Sequence, residues 1–203
     1  MRLVSPRYGI FGGSFNPVHH GHVILLTELA EAARLDRVFV VPAACSPHKS
    51  AAPSAPGELR AAFLRAAFAG RPDVEVVDWE LRRGGKSFTI DTLREAASLF
   101  PSASWTLLLG ADSLPDFPRW KDAAEIVRRA ELAVLARPGT DPAALDRLRT
   151  ALPEARALLV TGTAMGVSST LVRRRAAAGL SLAGYVPEAV AKAVVASGIY
   201  RTE

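Results

Sequence analysis

The sequence has a single cysteine, Cys45, among 203 residues. One thiol can neither close a disulfide within the chain nor build a cysteine zinc cluster. Long apolar runs are missing too: no stretch approaches the ~20 residues that span a bilayer. The opening residues, MRLVSPRYGIF, carry no apolar segment of the secretory kind. These absences lead us to expect a soluble cytoplasmic protein with no membrane partner. Charge of one sign is not concentrated either. Lys and Arg number 25 against 20 Asp and Glu, a net charge of +5. The basic residues are spread along the chain, with short clusters at Arg82 to Lys86 and Arg173 to Arg175. A nucleic-acid binder concentrates them in a tract or stripe, so nucleic acid is not the expected partner. A polyanionic small substrate fits the balance better.

Three common nucleotide and hydrolase motifs are also missing. Gly85, Lys86 and Ser87 imitate the end of a P-loop, but Glu80 stands where its first glycine is required. No G-x-G-x-x-G follows the first strand, against a redox dinucleotide domain. Gly12, Gly13 and Ser14 lead into Phe15 and Asn16, which breaks nucleophile-elbow spacing.

What is present is an alternation of apolar strands and amphipathic helices. RVFVVP at 37–42 and SWTLLL at 104–109 read as buried strands. Segments 23–33, 58–68 and 90–99 carry helical periodicity, and Thr89 is placed to cap the last of them. Further strands are expected at 74–77, 132–136 and 158–160, and helices at 122–129, from Asp141 and Pro142, after Ser168, and from Pro187. The pattern predicts an α/β, Rossmann-like doubly wound parallel sheet. With 49% hydrophobic residues the chain can bury a full core, and we expect one domain, 1–203, with a small C-terminal helical part at about 168–203.

Packing alone does not account for Gly9 to His22, GIFGGSFNPVHHGH. A strand end meets Gly12 and Gly13, then Ser14 and Asn16, then His19, Gly21 and His22 at a helix start. Glycines let a ligand approach the backbone, and the first helical turn offers N–H groups and a positive dipole end to an anion. Histidines at i and i+3 share a face, and each can donate to a phosphoryl oxygen. A second strand-to-helix turn stands near the other end of the chain. Ser168, Ser169 and Thr170 place hydroxyl and N–H groups at a helix start, and Arg173 follows one turn on. In a doubly wound sheet both turns can open onto one edge, as halves of a polyphosphate clamp. Asp112, after the strand that ends at Gly110, is at a strand's C-terminal end, where such sheets bind ligands. The loop from Ala43 to Pro56 carries His48 and Lys49, a basic pair that closes over a ligand or stays an exposed linker.

These residues carry a family resemblance over almost the whole chain. GGSFNPVHHGH resembles the H-x-G-H signature of the nucleotidylyltransferase superfamily, and VSSTLVR its S-S-T-x-x-R signature. SPHK, SFTIDTL, GADSL followed by Trp120, and YVPEAV are similar to the pattern of bacterial nicotinate-nucleotide adenylyltransferases. Ser14 and Asn16 depart from it, standing where threonine and aspartate are common.

The resemblance implies transfer of AMP from ATP to nicotinate mononucleotide, giving nicotinate adenine dinucleotide and pyrophosphate by direct in-line attack. It implies His19, His22 and Arg173 as catalytic residues. ATP is bound by Gly12, Gly13, Ser14, Phe15, Gly21, Gly110, Asp112, Ser168, Ser169 and Thr170. The acceptor is met by His48, Lys49, Phe88, Thr89 and Trp120, with main-chain N–H groups at Phe88 and Thr89 on the nicotinate carboxylate and Trp120 stacked on the pyridine ring. Mg²⁺ is the implied cofactor, held mainly by the ATP phosphates with no protein ligand. Homo-oligomerisation stays open. So do two other readings: an adenylyltransferase for nicotinamide mononucleotide or phosphopantetheine, and a nucleotide-binding module without turnover.

Overall fold

The structure is a computed structural model that describes residues 5–46, 55–136, 139–163 and 165–201. Six strands alternate with helices along the chain: β1 (Arg7–Gly13), α1 (His20–Ala32), β2 (Arg37–Pro42), α2 (Gly57–Ala67), β3 (Val74–Val76), α3 (Trp79–Arg83), α4 (Thr89–Leu99), β4 (Ser104–Gly110), α5 (Ala123–Arg129), β5 (Ala130–Ala136), α6 (Ala144–Ala151), β6 (Ala157–Thr161), α7 (Ser169–Ala177) and α8 (Glu188–Ser197). The strand order is β3-β2-β1-β4-β5-β6. This is the doubly wound Rossmann order, which grows outward in both directions from a reversal between β1 and β4. β4 lies parallel to β1, with Ile10 opposite Leu107, and β5 continues parallel beyond it, with Leu109 opposite Val134. Ligands bind where the order reverses, beyond the C-terminal strand ends. Gly12 and Gly110 stand at two such ends.

The central strands form because their residues are apolar on both faces. Residues 38–42 of β2 and 105–109 of β4 are all buried, as a sheet covered on both sides requires. The edges are blunted: β3 has three residues, and β6 leaves Leu158 and Leu159 exposed. Short or poorly apolar edges limit strand addition from other chains.

Internal contacts divide the chain into two compact units. One comprises Met1–Gly12, Leu25–Phe39 and Phe88–Ala164; the other Gly13–Ile24, Val40–Ser87 and Met165–Glu203. In the first, Tyr8, Phe39, Phe100 and Trp105 form an aromatic cluster, with ring centroids 5.1 Å apart for Phe39 and Phe100 and 5.7 Å for Tyr8 and Trp105. In the second, α2 packs on α8 and buries Phe63 and Leu64. Among the described residues, no helix is long and apolar enough to cross a membrane.

The sequence pattern misplaced two helix starts. Thr89 does not cap α4; it is the first helical residue, and Phe88 occupies the cap position without a side-chain hydrogen bond. Asp141 does not cap α6, which begins later, at Ala144; its Oδ1 accepts from the Ala143 N–H at 2.9 Å.

Candidate active site

In the second unit, the turn after β1 is built differently from a glycine hairpin. β1 runs through Gly13, and the left-handed residue is Phe15 at φ 45°. Phe15 holds that costly conformation with its ring fully buried, and Gly13 makes room for the ring: a Cβ there would stand 3.0 Å from it. Gly12 is different. It is exposed, and a Cβ at Gly12 would meet no protein atom within 4 Å.

Helix α1 opens just after His19. The His22 Nδ1 accepts the His19 main-chain N–H at 3.2 Å, and the two imidazole rings lie 3.7 Å apart. An Nδ1 that accepts carries no proton, so the neutral ring bears its proton on Nε2, which is then a donor. His19 is buried and His22 half-buried. Gly21 suits that arrangement: a Cβ there would crowd the His19 ring at 3.1 Å and make ordinary contact with the Val167 carbonyl oxygen at 3.6 Å.

Val167 belongs to the second sequence motif, so the two motifs are in contact within this unit. Ser169 Oγ donates to the Pro17 carbonyl at 2.9 Å. Arg173 Nη1 donates to the Asn16 carbonyl at 2.8 Å, and Nη2 to Thr170 Oγ1 at 3.3 Å. Ser168 caps α7, its Oγ accepting from the Leu171 N–H at 3.2 Å. These hydroxyls thus order the turn itself, while a guanidinium has five donors and Arg173 commits two of them here.

Two residues behind the turn were not singled out by the sequence reading. Arg60 is 1% exposed. It donates to three main-chain oxygens: Ala55 at 3.0 Å, Ser14 at 2.7 Å and Ala43 at 2.7 Å. Burial lowers its pKa from the ordinary arginine range. Ala43 and Ala55 are the stems of the loop that carries His48 and Lys49, which lie outside the described residues. Tyr200 donates to Asn16 Oδ1 at 2.6 Å, and the same oxygen accepts the Ala55 N–H at 3.3 Å. Burial pushes the Tyr200 phenol well above its ordinary range, which keeps it a donor. The entry stem is tied as well, by Ser87 Oγ accepting the Ala44 N–H at 2.9 Å and the Ser87 N–H donating to the Cys45 carbonyl at 2.8 Å.

In the first unit, Gly110 ends β4, and a Cβ on it would strike Asp112 Oδ1. Asp112 is exposed. Phe88 and Thr89 begin α4. Trp120 is half-buried and its ring lies 4.9 Å from that of fully buried Phe117. Lys121 Nζ sits 4.7 Å from the Phe88 ring centroid, so the segment after Trp120 touches the start of α4.

The chain is similar to known proteins. The cytidylyltransferase-like family model matches residues 10–175, a span that holds both motifs. A protein of Roseiflexus sp. (strain RS-1) that bears the name "Probable nicotinate-nucleotide adenylyltransferase" is 40% identical over 98% of this chain and 100% of its own. One of the same name from Thermus thermophilus is 40% identical over 96% of this chain and 100% of its own. The chain belongs to the nicotinate-nucleotide adenylyltransferase family, within the cytidylyltransferase-like group. The fold is likewise that of a Plasmodium falciparum nicotinic acid mononucleotide adenylyltransferase complexed with NaAD, at a TM-score of 0.79 and 16% identity over 96% of this chain and 97% of that one.

Membership sets Asn16 in a clearer light. The family resemblance leads one to expect aspartate there, and in this chain the Asn16 side chain offers an acceptor oxygen to Tyr200 and to the Ala55 N–H, as an aspartate would. Among the described residues no group of three or more His, Cys, Asp or Glu is placed to hold a metal ion. The turn's groups are imidazole and main-chain N–H donors, which suit an anion; a hard cation such as Mg²⁺ wants oxygen ligands.

Proposed function

We propose that this chain transfers AMP from ATP to nicotinate mononucleotide, giving nicotinate adenine dinucleotide and pyrophosphate, in NAD biosynthesis and in the cytoplasm. The observation that carries the reading is the joining of the His19–His22 turn to the α7 start through Ser169 and Arg173. That junction gathers N–H, imidazole and guanidinium donors on one turn, which is what a polyphosphate needs and a neutral ligand does not.

The mononucleotide phosphate oxygen attacks the α-phosphorus of ATP in line; the new P–O bond forms as the bond to the β-phosphate oxygen breaks, and pyrophosphate leaves. No side chain becomes covalently attached. Catalysis is positioning and neutralisation of charge that builds on the phosphates. His19 and His22 donate to the ATP phosphates, and Ser169 and Arg173 hold the β and γ groups. Gly12, with open space where a side chain would be, lets the nucleotide approach the backbone, joined by Gly13, Ser14, Phe15, Gly21, Ser168 and Thr170. Gly110 and Asp112 line the nucleotide's side of β4. Mg²⁺ supplies charge neutralisation as the counterion of the phosphates, since the turn's donors fit the anion and not the cation. His48 and Lys49 add charge from the loop.

For the acceptor, main-chain N–H groups at Phe88 and Thr89 meet the nicotinate carboxylate and Trp120 stacks on the pyridine ring. Phe88 at the N-cap of α4 makes no side-chain cap hydrogen bond, and the N–H groups that open a helix lack the regular intrahelical acceptor. The test is pyrophosphate release from Mg-ATP with nicotinate mononucleotide, nicotinamide mononucleotide and phosphopantetheine in parallel. Fastest release with nicotinate mononucleotide is expected; release with phosphopantetheine alone, or with none, overturns the reading.

A further inference from the structure

The start of α4 contains a charge pair that the reaction above does not use. Asp91 lies in the first turn of α4, where an acidic side chain favours the helix dipole but repels a second anion brought to the same N–H groups. Lys121, next in sequence to Trp120, answers that charge. Its Nζ donates to both Asp91 oxygens, at 3.3 Å and 3.0 Å, while standing 4.7 Å from the Phe88 ring centroid. From its own helix, Arg94 reaches Asp91 Oδ1 at 3.2 Å, but the same guanidinium also serves Asp122 and Glu125. Lys121 is therefore the cation most fully committed to Asp91.

We propose that the Lys121–Asp91 pair is a specificity determinant that sets how strongly the protein prefers a carboxylate-bearing acceptor to the matching carboxamide. The inference rests on the acceptor reading above. With both charges present, the start of α4 is close to neutral and its N–H groups decide. Removing the lysine leaves Asp91 answered, among the described residues, only by Arg94, which it shares with Asp122 and Glu125, so its charge weighs against an incoming carboxylate, whereas a neutral carboxamide is indifferent to it. Removing the aspartate charge frees an ammonium beside the site, which favours the carboxylate. A pair that only fastens the Trp120 segment behaves differently: cutting it from either side harms both acceptors alike.

The two roles separate in Lys121→Met, Asp91→Asn and the double variant of the full chain. The readout is the ratio of kcat/KM for nicotinate mononucleotide to that for nicotinamide mononucleotide, the amide being measured as a competing inhibitor if its turnover is slow. The ratio falls about three- to tenfold in Lys121→Met, as expected for a partly exposed charge, and rises by a similar factor in Asp91→Asn. The double variant returns to within about twofold of the unmodified chain, the shifts shrink at high salt, and kcat/KM for ATP stays constant. A ratio that moves the same way in both single variants, or in neither, with unfolding midpoints unchanged, overturns the proposal. An unmodified chain that uses neither pyridine nucleotide instead overturns the functional reading, and this inference with it.

Discussion

Arg173 donates from Nη1 to the main-chain oxygen of Asn16 at 2.8 Å, joining residues 157 apart in sequence. Ser169 makes the parallel bond to Pro17. The turn that follows β1 is thus held by the helix that follows β6. If the proposed function holds, a phosphate drawn to the His19–His22 pair meets a turn tied by these bonds, and preorganised donors act on a transition state without reorganising.

Gly21→Ala tests that preorganisation. The added methyl lies 3.1 Å from the His19 ring, which is itself stacked 3.7 Å from His22. Alanine favours helix over glycine by ~1 kcal/mol, which offsets the crowding of His19, so the unfolding midpoint should shift little. Turnover should nonetheless fall by about tenfold or more, because small misplacements of positioned groups are costly. Steady-state rates and thermal unfolding of the same preparation check both halves.

Asn16 gives a prediction about a departure from family usage. Its Oδ1 accepts from Tyr200 and from the Ala55 N–H, so an aspartate can make both bonds. Asn16→Asp keeps both acceptor bonds at a buried position and should unfold in urea closer to the unmodified chain than Asn16→Ala does, with a deficit that grows as the carboxyl ionises. Asn16→Ala leaves the buried phenol without its acceptor and should cost about 1–3 kcal/mol.

A third prediction concerns acid. Glu125, held by Arg94 first and Arg129 second, has its pKa pushed down from 4.5 to about 2. A carboxylate with a depressed folded pKa contributes stability that is present above its unfolded value and lost as pH falls through the folded one. The loss for Glu125 therefore falls between pH 4.5 and about 2. Arg94→Met should flatten the decline in stability across that window, read from unfolding midpoints against pH. The carboxylate is at the surface, so salt should shrink the difference.

How much of this was legible beforehand follows from whether the signal was local. The strand at 37–42 stood out because the unbroken apolar run from Val38 to Pro42 suits a doubly covered sheet. The α7 start was legible from Ser168, Ser169 and Thr170: the helix begins at Ser169, and Ser168, read as a phosphate ligand, caps it. His19, His22 and Arg173 could be picked out because their residue types and spacing suit an anion, and the structure brings their two turns into contact. Arg60 announced nothing: an arginine in an amphipathic helix reads as solvent-facing, and its acceptors are carbonyls 5, 17 and 46 residues away. Helix α3 has five residues, too few for a periodicity to register. Thr89 was read as a cap from its side chain, whereas the helix starts one residue earlier than that role requires.

On the proposed function the turn after β1 acts on phosphate, and His22 is where to measure it. The rate of pyrophosphate release at saturating Mg-ATP and nicotinate mononucleotide should fall ~10²–10³-fold in His22→Ala, the loss typical of one donor to transition-state charge, without unfolding the protein. A variant that is folded and turns over at a near-normal rate would contradict the account and return His22 to a structural part.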